Sequence, residues 1–329
     1  MLIPLGIIAS AISSLFLNWS NAAISATITF LGGTYANLTN GKFFAFGGSN
    51  VAGTTTAYRY SLDGSTWSSG TMPSALIRGR AASNSSRIVV LRSNLAGTST
   101  AHEYSTDGTT WTAGTYLATA ALNNDLIHDG TRFIAASSAS SNNISHSTDG
   151  ITWSQVTANA SSLRSIGSDG TRVIVALAAT GTTYATTPSF PTSWTTGNFP
   201  SSQLWASVLY SNGLWLAFGS NTTSGVNNYA TSTNGTTWTS RQLPTNYQFG
   251  TTEARGFVKD ETFYYLTSNL ATNARQIGYS TDGINWTYII PTNTSNASYI
   301  NQWAVGPDAV IGLGNSSSTP ADRLPLGTR

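Results

Sequence analysis

The chain has 329 residues, 40 % hydrophobic and 9 % charged, with a net charge of +2, two lysines (Lys42 and Lys259) and no cysteine. An average globular protein is about 25 % charged, yet this hydrophobic content excludes low-hydrophobicity disorder. The weak charge gives no electrostatic footprint for nucleic acid, and the missing thiols exclude disulfides, thiolate metal sites and a Cys nucleophile. Scarce Glu, Lys and Gln beside abundant Thr, Val, Ile and aromatics predict an all-β chain.

Residues 2–17 form an apolar run. No Lys or Arg precedes Lys42, so the basic flank of a secretory signal is missing. The run is shorter than the ~20 residues of a membrane span and carries Pro4 and Gly6. We read residues 1–25 as an anchor segment for a larger assembly and residues 26–329 as one β domain. The β-rich stretch Ala26–Phe30 opens that domain.

From residue 60 a motif repeats: Tyr60-Ser61-Leu62-Asp63-Gly64-Ser65-Thr66-Trp67, then copies at Tyr104–Trp111, His146–Trp153, Thr231–Trp238 and Tyr279–Trp286. A degenerate copy, Tyr184–Trp194, replaces Asp-Gly with Pro188-Ser189-Phe190-Pro191. Asp-Gly and Asn-Gly favour two-residue hairpins, and the Trp beyond the turn is placed to pack between neighbouring sheets. So many copies of one constellation point to structure, not to repeated active sites.

A second motif alternates with it, a turn followed by an apolar strand. Examples are Asn40-Gly41 before Phe43–Phe46, Asp129-Gly130 before Phe133–Ala136, and Pro307-Asp308 before Val310–Leu313. Near-continuous apolarity marks strands buried on both faces. Four antiparallel strands in about 44 residues is the size of a propeller blade. Seven such apolar strands predict a seven-bladed β-propeller of four-stranded antiparallel blades. The last blade lacks an outer strand, which Ala26–Phe30 is expected to supply, closing the ring from the N-terminal side.

These hairpins resemble the Asp-box repeats of sialidase-like β-propellers over residues 57–290, although the usual Asp-box has one more residue between Asp and Gly. The resemblance implies fold-stabilising turns and carries no catalysis. The opening Met1-Leu2-Ile3-Pro4-Leu5-Gly6, the Thr/Ser/Asn/Gly-rich body and the near absence of Lys resemble tailed-bacteriophage virion proteins, particularly tail proteins. That resemblance implies a structural or receptor-binding protein located in the virion. Its partners would be other virion proteins, contacted through residues 1–25 by several copies, and a host surface glycan.

No catalytic set stands out. His102, His128 and His146 form no metal-ligand pair, and the last two fall in hairpin positions. Most aspartates are spent in turns, leaving Glu103, Glu253 and Asp125 as isolated carboxylates where glycoside hydrolysis commonly needs a pair. No cofactor motif and no metal site is expected. Arginine has a register, however. Six residues before the second turn residue of each inner hairpin lie Tyr35, Arg80, Asn124, Arg164, Ser207, Arg255 and Gln302. The innermost strand of a propeller lines its channel, so Arg80, Arg164 and Arg255, with Tyr35, Asn124 and Gln302, are the candidate ligand-binding residues. Such a ring suits a carboxylate or sugar hydroxyls. The binding surface is expected on the long-loop face, including Asn221–Asn228 and Pro244–Gly250. The reading is a non-enzymatic virion propeller. A secreted or cell-surface carbohydrate-binding propeller and a sialidase-type glycosidase are the alternatives.

Overall fold

The computed structural model describes residues 18–23, 29–38, 40–48, 54–92, 101–115, 123–137, 143–177, 180–220, 228–244, 247–249, 255–269, 275–290, 299–315 and 323–328. All of its regular elements are strands. They pair antiparallel in chain order. The first sheet runs Thr29–Ala36, Lys42–Gly48, Thr55–Ser61, Ser68–Leu76, and the next two repeat the plan from Arg78–Ser83 and from Asn123–His128. A seven-stranded sheet follows, from Leu163–Ser168 to Thr239–Gln242. It comprises two four-stranded units that share Thr195–Ser211. The first part of that strand, Thr195–Asn198, pairs outward with Thr183–Thr186. The second, Leu204–Ser211, pairs with Leu214–Ser220 as an innermost strand. In the next sheet Gly256–Lys259 and Tyr247–Phe249 both pair with Thr262–Asn269.

The last sheet runs Tyr299–Val305, Ala309–Asn315, Arg323–Thr328 and Asn18–Ala23. Its outer strand therefore comes from the N-terminal side, but not from Ala26–Phe30. Phe30 belongs to the innermost strand Thr29–Ala36, where it pairs with Gly47, while residues 26–28 lie outside the described residues. The outer edge is taken instead by Asn18–Ala23, in register Asn18↔Thr328 to Ala23↔Arg323. Those residues had been assigned to the anchor; residues 1–17 are not among those described. The reason is geometric. Thr29–Ala36 is paired with Lys42–Gly48 along its whole length apart from one bulge between Phe30 and Gly32, so the chain upstream of it reaches the last sheet instead.

Apolar second strands fill the core. Ile88–Leu91, Phe133–Ala136 and Val173–Ala176 are buried on both faces, and the clusters they join span adjacent sheets. The repeated Trp packs on the preceding sheet. Trp111 meets Phe44, Phe46 and Tyr58 edge-on, with centroids 6.4, 5.4 and 5.6 Å away. Trp238 and Trp286 each donate an indole N–H to a tyrosine of the four-stranded unit before, Tyr184 and Tyr229, both at 3.1 Å.

The Asp-Gly loops are not two-residue hairpins. Tyr60 pairs with Ser68, so Ser61–Trp67 make one compact loop. Ser61 Oγ accepts the Gly64 N–H at 2.8 Å and donates to Asp63 Oδ1 at 3.0 Å; the same carboxylate oxygen accepts the N–H groups of Ser65 and Thr66, each at 2.8 Å. The Gly takes a positive φ, for example 72° at Gly108. The Asp does not, because its side chain bonds forward to the backbone instead of entering the turn's left-handed pair. True two-residue turns occur on the inner hairpins, where Asn212-Gly213 and Asp260-Glu261 both have positive φ.

Candidate functional site

The innermost strands share an irregularity. The ladder register shifts between Phe30 and Gly32, Arg78 and Ala81, Asn123 and Asp125, Leu163 and Ser165, Trp205 and Ser207, and Ile300 and Gln302. In the remaining unit Arg255 immediately precedes its innermost strand. A bulge leaves one residue unpaired and re-aims its side chain. These bulges lie near the strand starts, at the end of the molecule that carries the long connections.

Five of the six candidate residues meet there. The Asn124 carbonyl accepts Arg80 Nε at 2.8 Å and Arg255 Nη2 at 2.7 Å. Arg80 also donates to the Leu31 carbonyl at 3.2 Å, and Asn124 Nδ2 to the Leu163 carbonyl at 2.6 Å. Arg255 reaches the Arg164 carbonyl at 3.4 Å and forms an ion pair with Asp125 at 2.9 Å. Gln302 Oε1 accepts the N–H groups of Gly33 and Ala81 at 3.1 and 3.0 Å, and its Nε2 donates to the Ala81 carbonyl at 2.6 Å. Arg80 and Arg255 are both 7 % exposed. Their guanidinium groups therefore tie inner strands together across the channel as much as they line it. Arg164 is half-buried beside them.

Tyr35 is not with them. It sits toward the inner turn, edge-on to Phe43 at 5.0 Å and against the Asn40-Gly41 turn. Burial, and then the charge of Asp308, push its hydroxyl above the ordinary tyrosine value. The cause of the misplacement is turn length. The inner connection spans Asn37–Gly41 in the first sheet and only Asn212-Gly213 later, so counting from the turn slips along the strand. The ladder position of Arg80 and Asn124 belongs in the first sheet to Leu31. Ser207 and Gln302 fall just past their bulges.

A second set was not singled out as a group. Residues at or just past the bulges bond the open N–H edge of another innermost strand: Asp125 takes Ile166 N–H at 2.9 Å, Ser165 takes Val208 N–H at 3.1 Å and Ser207 takes Gly256 N–H at 3.3 Å. Gln302 does so for Gly33. This satisfies donors that a sheet edge would leave unpaired. At the matching place in the first sheet stands Gly32, where a Cβ would collide with the Gly79 carbonyl and crowd Gln302 Oε1. Gly32 thereby lets Gln302 pass over the first sheet to Ala81 in the second. A polar residue directly after the bulge in four of the six shifted strands (Asp125, Ser165, Ser207 and Gln302) is the sequence signal, visible only once the bulges are located.

The other carboxylates are occupied. Glu103, 2 % exposed, binds Arg78 through both oxygens, at 2.5 and 2.8 Å, while Glu253 lies outside the described residues. His102 is buried against Tyr104 and Trp153, and that burial lowers its pKa to about 4. Among the described residues no group of three His, Asp or Glu side chains is placed to hold a metal ion. Residues 221–227, 245–246 and 250–254, which cover most of the expected binding loops, are outside the description.

Comparison with known proteins supports the architecture. The family model of the DUF6242 beta propeller domain matches residues 68–215. No curated protein matches the sequence. Among solved structures, YCF48 bound to D1 peptide is 14 % identical, with a TM-score of 0.64 over 94 % of this chain and 95 % of that one. A catalytically inactive virginiamycin B lyase from Staphylococcus aureus, with quinupristin, is 10 % identical, with a TM-score of 0.69 over 95 % and 99 %. YCF48 from Cyanidioschyzon merolae is 12 % identical, with a TM-score of 0.63 over 94 % and 98 %. At such identities the likeness is one of fold alone. The chain is a β-propeller, similar over residues 68–215 to the DUF6242 propeller domain.

Proposed function

We propose that this protein is a non-enzymatic structural component of a bacteriophage virion, placed in the tail, whose propeller displays a host-glycan-binding end. In this reading the propeller has seven blades, closed by Asn18–Ala23, and the apolar residues 2–17 upstream hold it to other virion proteins. The observation that carries the binding part is the asymmetry between the two ends. One end is built from short turns locked by their own side chains, which leave little surface to vary. The other carries the long connections and the bulges with Arg80, Arg164, Arg255, Asn124 and Gln302. Loops on a rigid scaffold are where binding residues concentrate. Glu103 and Asp125 are each held by an arginine, which fits binding better than acid–base chemistry.

The test is adsorption to host cells together with a glycan array. It compares wild type with Arg164→Ala and with a variant whose residues 221–227 are replaced by Gly and Ser. Weaker adsorption by either variant, with unchanged thermal unfolding, supports the reading. Absence of adsorption and of glycan binding by the wild type overturns it. For the anchor, deleting residues 1–17 is expected to abolish incorporation into particles and leave the fold intact. Normal incorporation overturns that part.

A further inference from the structure

Beneath the Arg255–Asp125 pair the channel holds a cavity of about 200 Å³. A water molecule occupies roughly 30 Å³ of liquid, so this space takes several waters or one small solute. Its polar wall includes Asp125, Ser165, Ser207 and Arg255, with Gln302 beside them, and its apolar wall includes Phe257 and Trp303.

The two serines are 2 % and 3 % exposed. Each hydroxyl oxygen accepts a backbone N–H, from Val208 and Gly256. A hydroxyl also carries a proton to donate, and among the described residues neither proton has an acceptor. Burying a donor without a partner is costly, so acceptor atoms belong in the cavity. Arg255 adds donors, since its described partners take one bond from Nη1 and two from Nη2 of a five-donor guanidinium. Asp125 adds an acceptor that repels an anion but receives a hydroxyl. Arg255 and Asp125 balance each other, so the pair brings no net charge. Phe257 and Trp303, with centroids 4.9 Å apart, form an aromatic side.

Hydroxyls that both accept and donate, carried on a ring with an apolar face, fit this wall. We infer that the channel cavity binds one neutral, hydroxyl-bearing sugar ring of hexose size. The inference deepens the glycan-binding reading and rests on it for the source of the sugar. It also narrows the ligand class, because the ion pair favours a neutral ring over the acidic group that a ring of free arginines would select.

The full chain is titrated calorimetrically with glucose, galactose and mannose, and with glucuronate as the anionic arm. At least one neutral hexose is expected to bind saturably, and more tightly than glucuronate. Ser165→Thr and Ser207→Thr keep the hydroxyl that accepts the N–H of the neighbouring strand but fill the cavity with a methyl group. Each is expected to weaken binding about tenfold or more, a loss of ~1.4 kcal/mol, with unchanged thermal unfolding. Absence of saturable binding by any neutral hexose to the wild type overturns the inference, whatever the variants do. Tighter binding of glucuronate, or equal binding by correctly folded variants, overturns it as well. Host adsorption without saturable hexose binding leaves the display reading standing while this one falls. Hexose binding without host adsorption does the reverse.

Discussion

Two outer loops solve one problem with different chemistry. In Ser105–Trp111, Asp107 Oδ1 gathers the N–H groups of Thr109 and Thr110, both at 2.7 Å, and Ser105 holds Gly108 at 2.8 Å. In Thr187–Trp194 that network is absent. Thr187 donates to the Thr192 carbonyl, the Thr192 N–H meets the Ser189 carbonyl at 3.0 Å, and the Phe190 N–H reaches the Thr171 carbonyl at 3.0 Å. Both loops deliver a tryptophan to a 7 % exposed site at a sheet interface. In the degenerate loop Trp194 Nε1 donates to the Pro191 carbonyl at 3.1 Å, as Trp67 does to Gly64 at 2.9 Å in a regular one. The buried ring is what the loops have in common; the Asp is one of two ways to place it.

If so, removing the ring costs more than removing the turn bonds. Trp111→Ala is expected to destabilise by about 3–5 kcal/mol, read by denaturant unfolding, since it empties a site among Phe44, Phe46 and Tyr58. A loss no larger than that of Asp107→Ala would reverse the ranking.

Acid separates the interface from the loops. His102 packs on Trp153, and its burial lowers its pKa to about 4 from an ordinary 6.5. The unfolded chain therefore binds that proton first as pH falls. The stability held by neutral His102 is complete above about pH 6.5 and drains away as pH falls toward 4. His102→Gln should flatten thermal stability across that window; an unchanged slope would show that another group carries it. Asp149 and Asp282 sit at about 2, lowered by backbone and side-chain hydrogen bonds that outweigh desolvation. Their contribution is present above the ordinary carboxylate value near 3.8 and is lost only as pH falls through 2, a separate and later transition.

The smallest effect belongs to the loop carboxylate itself. Asp107→Ala should cost about 1–2 kcal/mol through its lost N–H bonds. Asp107→Asn should be close to neutral, because Asn234 already makes the same pair, to Thr236 and Thr237 at 2.9 and 2.8 Å. A larger penalty for Asn than for Ala would mean that charge, not the amide-accepting oxygen, sets the loop.

The repeated Trp and the apolar second strands were sufficient to read the sheets from the residues, because both follow from burial, which composition reports directly. In the last sheet the strand Ala309–Asn315 holds the apolar run Val310–Leu313 expected after Pro307-Asp308. What could not be read was whatever depends on strand length. Tyr35 was misplaced because its turn is longer than the others, and Ala26–Phe30 lost the closing role because Phe30 was already committed to an inner ladder. Arg80, Asn124 and Arg255 were found by register, but their bonds to carbonyls across the channel were not. A bulge changes the aim of a side chain without leaving a mark in the local sequence. The bridging by Gln302 depends on Gly32, in a different sheet and far away along the chain.

The strand Thr195–Ser211 passes from the outer edge of one unit to the inner edge of the next without an intervening loop. Only Phe199–Ser202 lie outside the ladder pairs there, between Asn198 on Thr183 and Gln203 on Gly181. An insertion that spares both ladders, or a cut between the two units, is confined to that short window. Residues added on either side of it would fall inside paired backbone and displace a register.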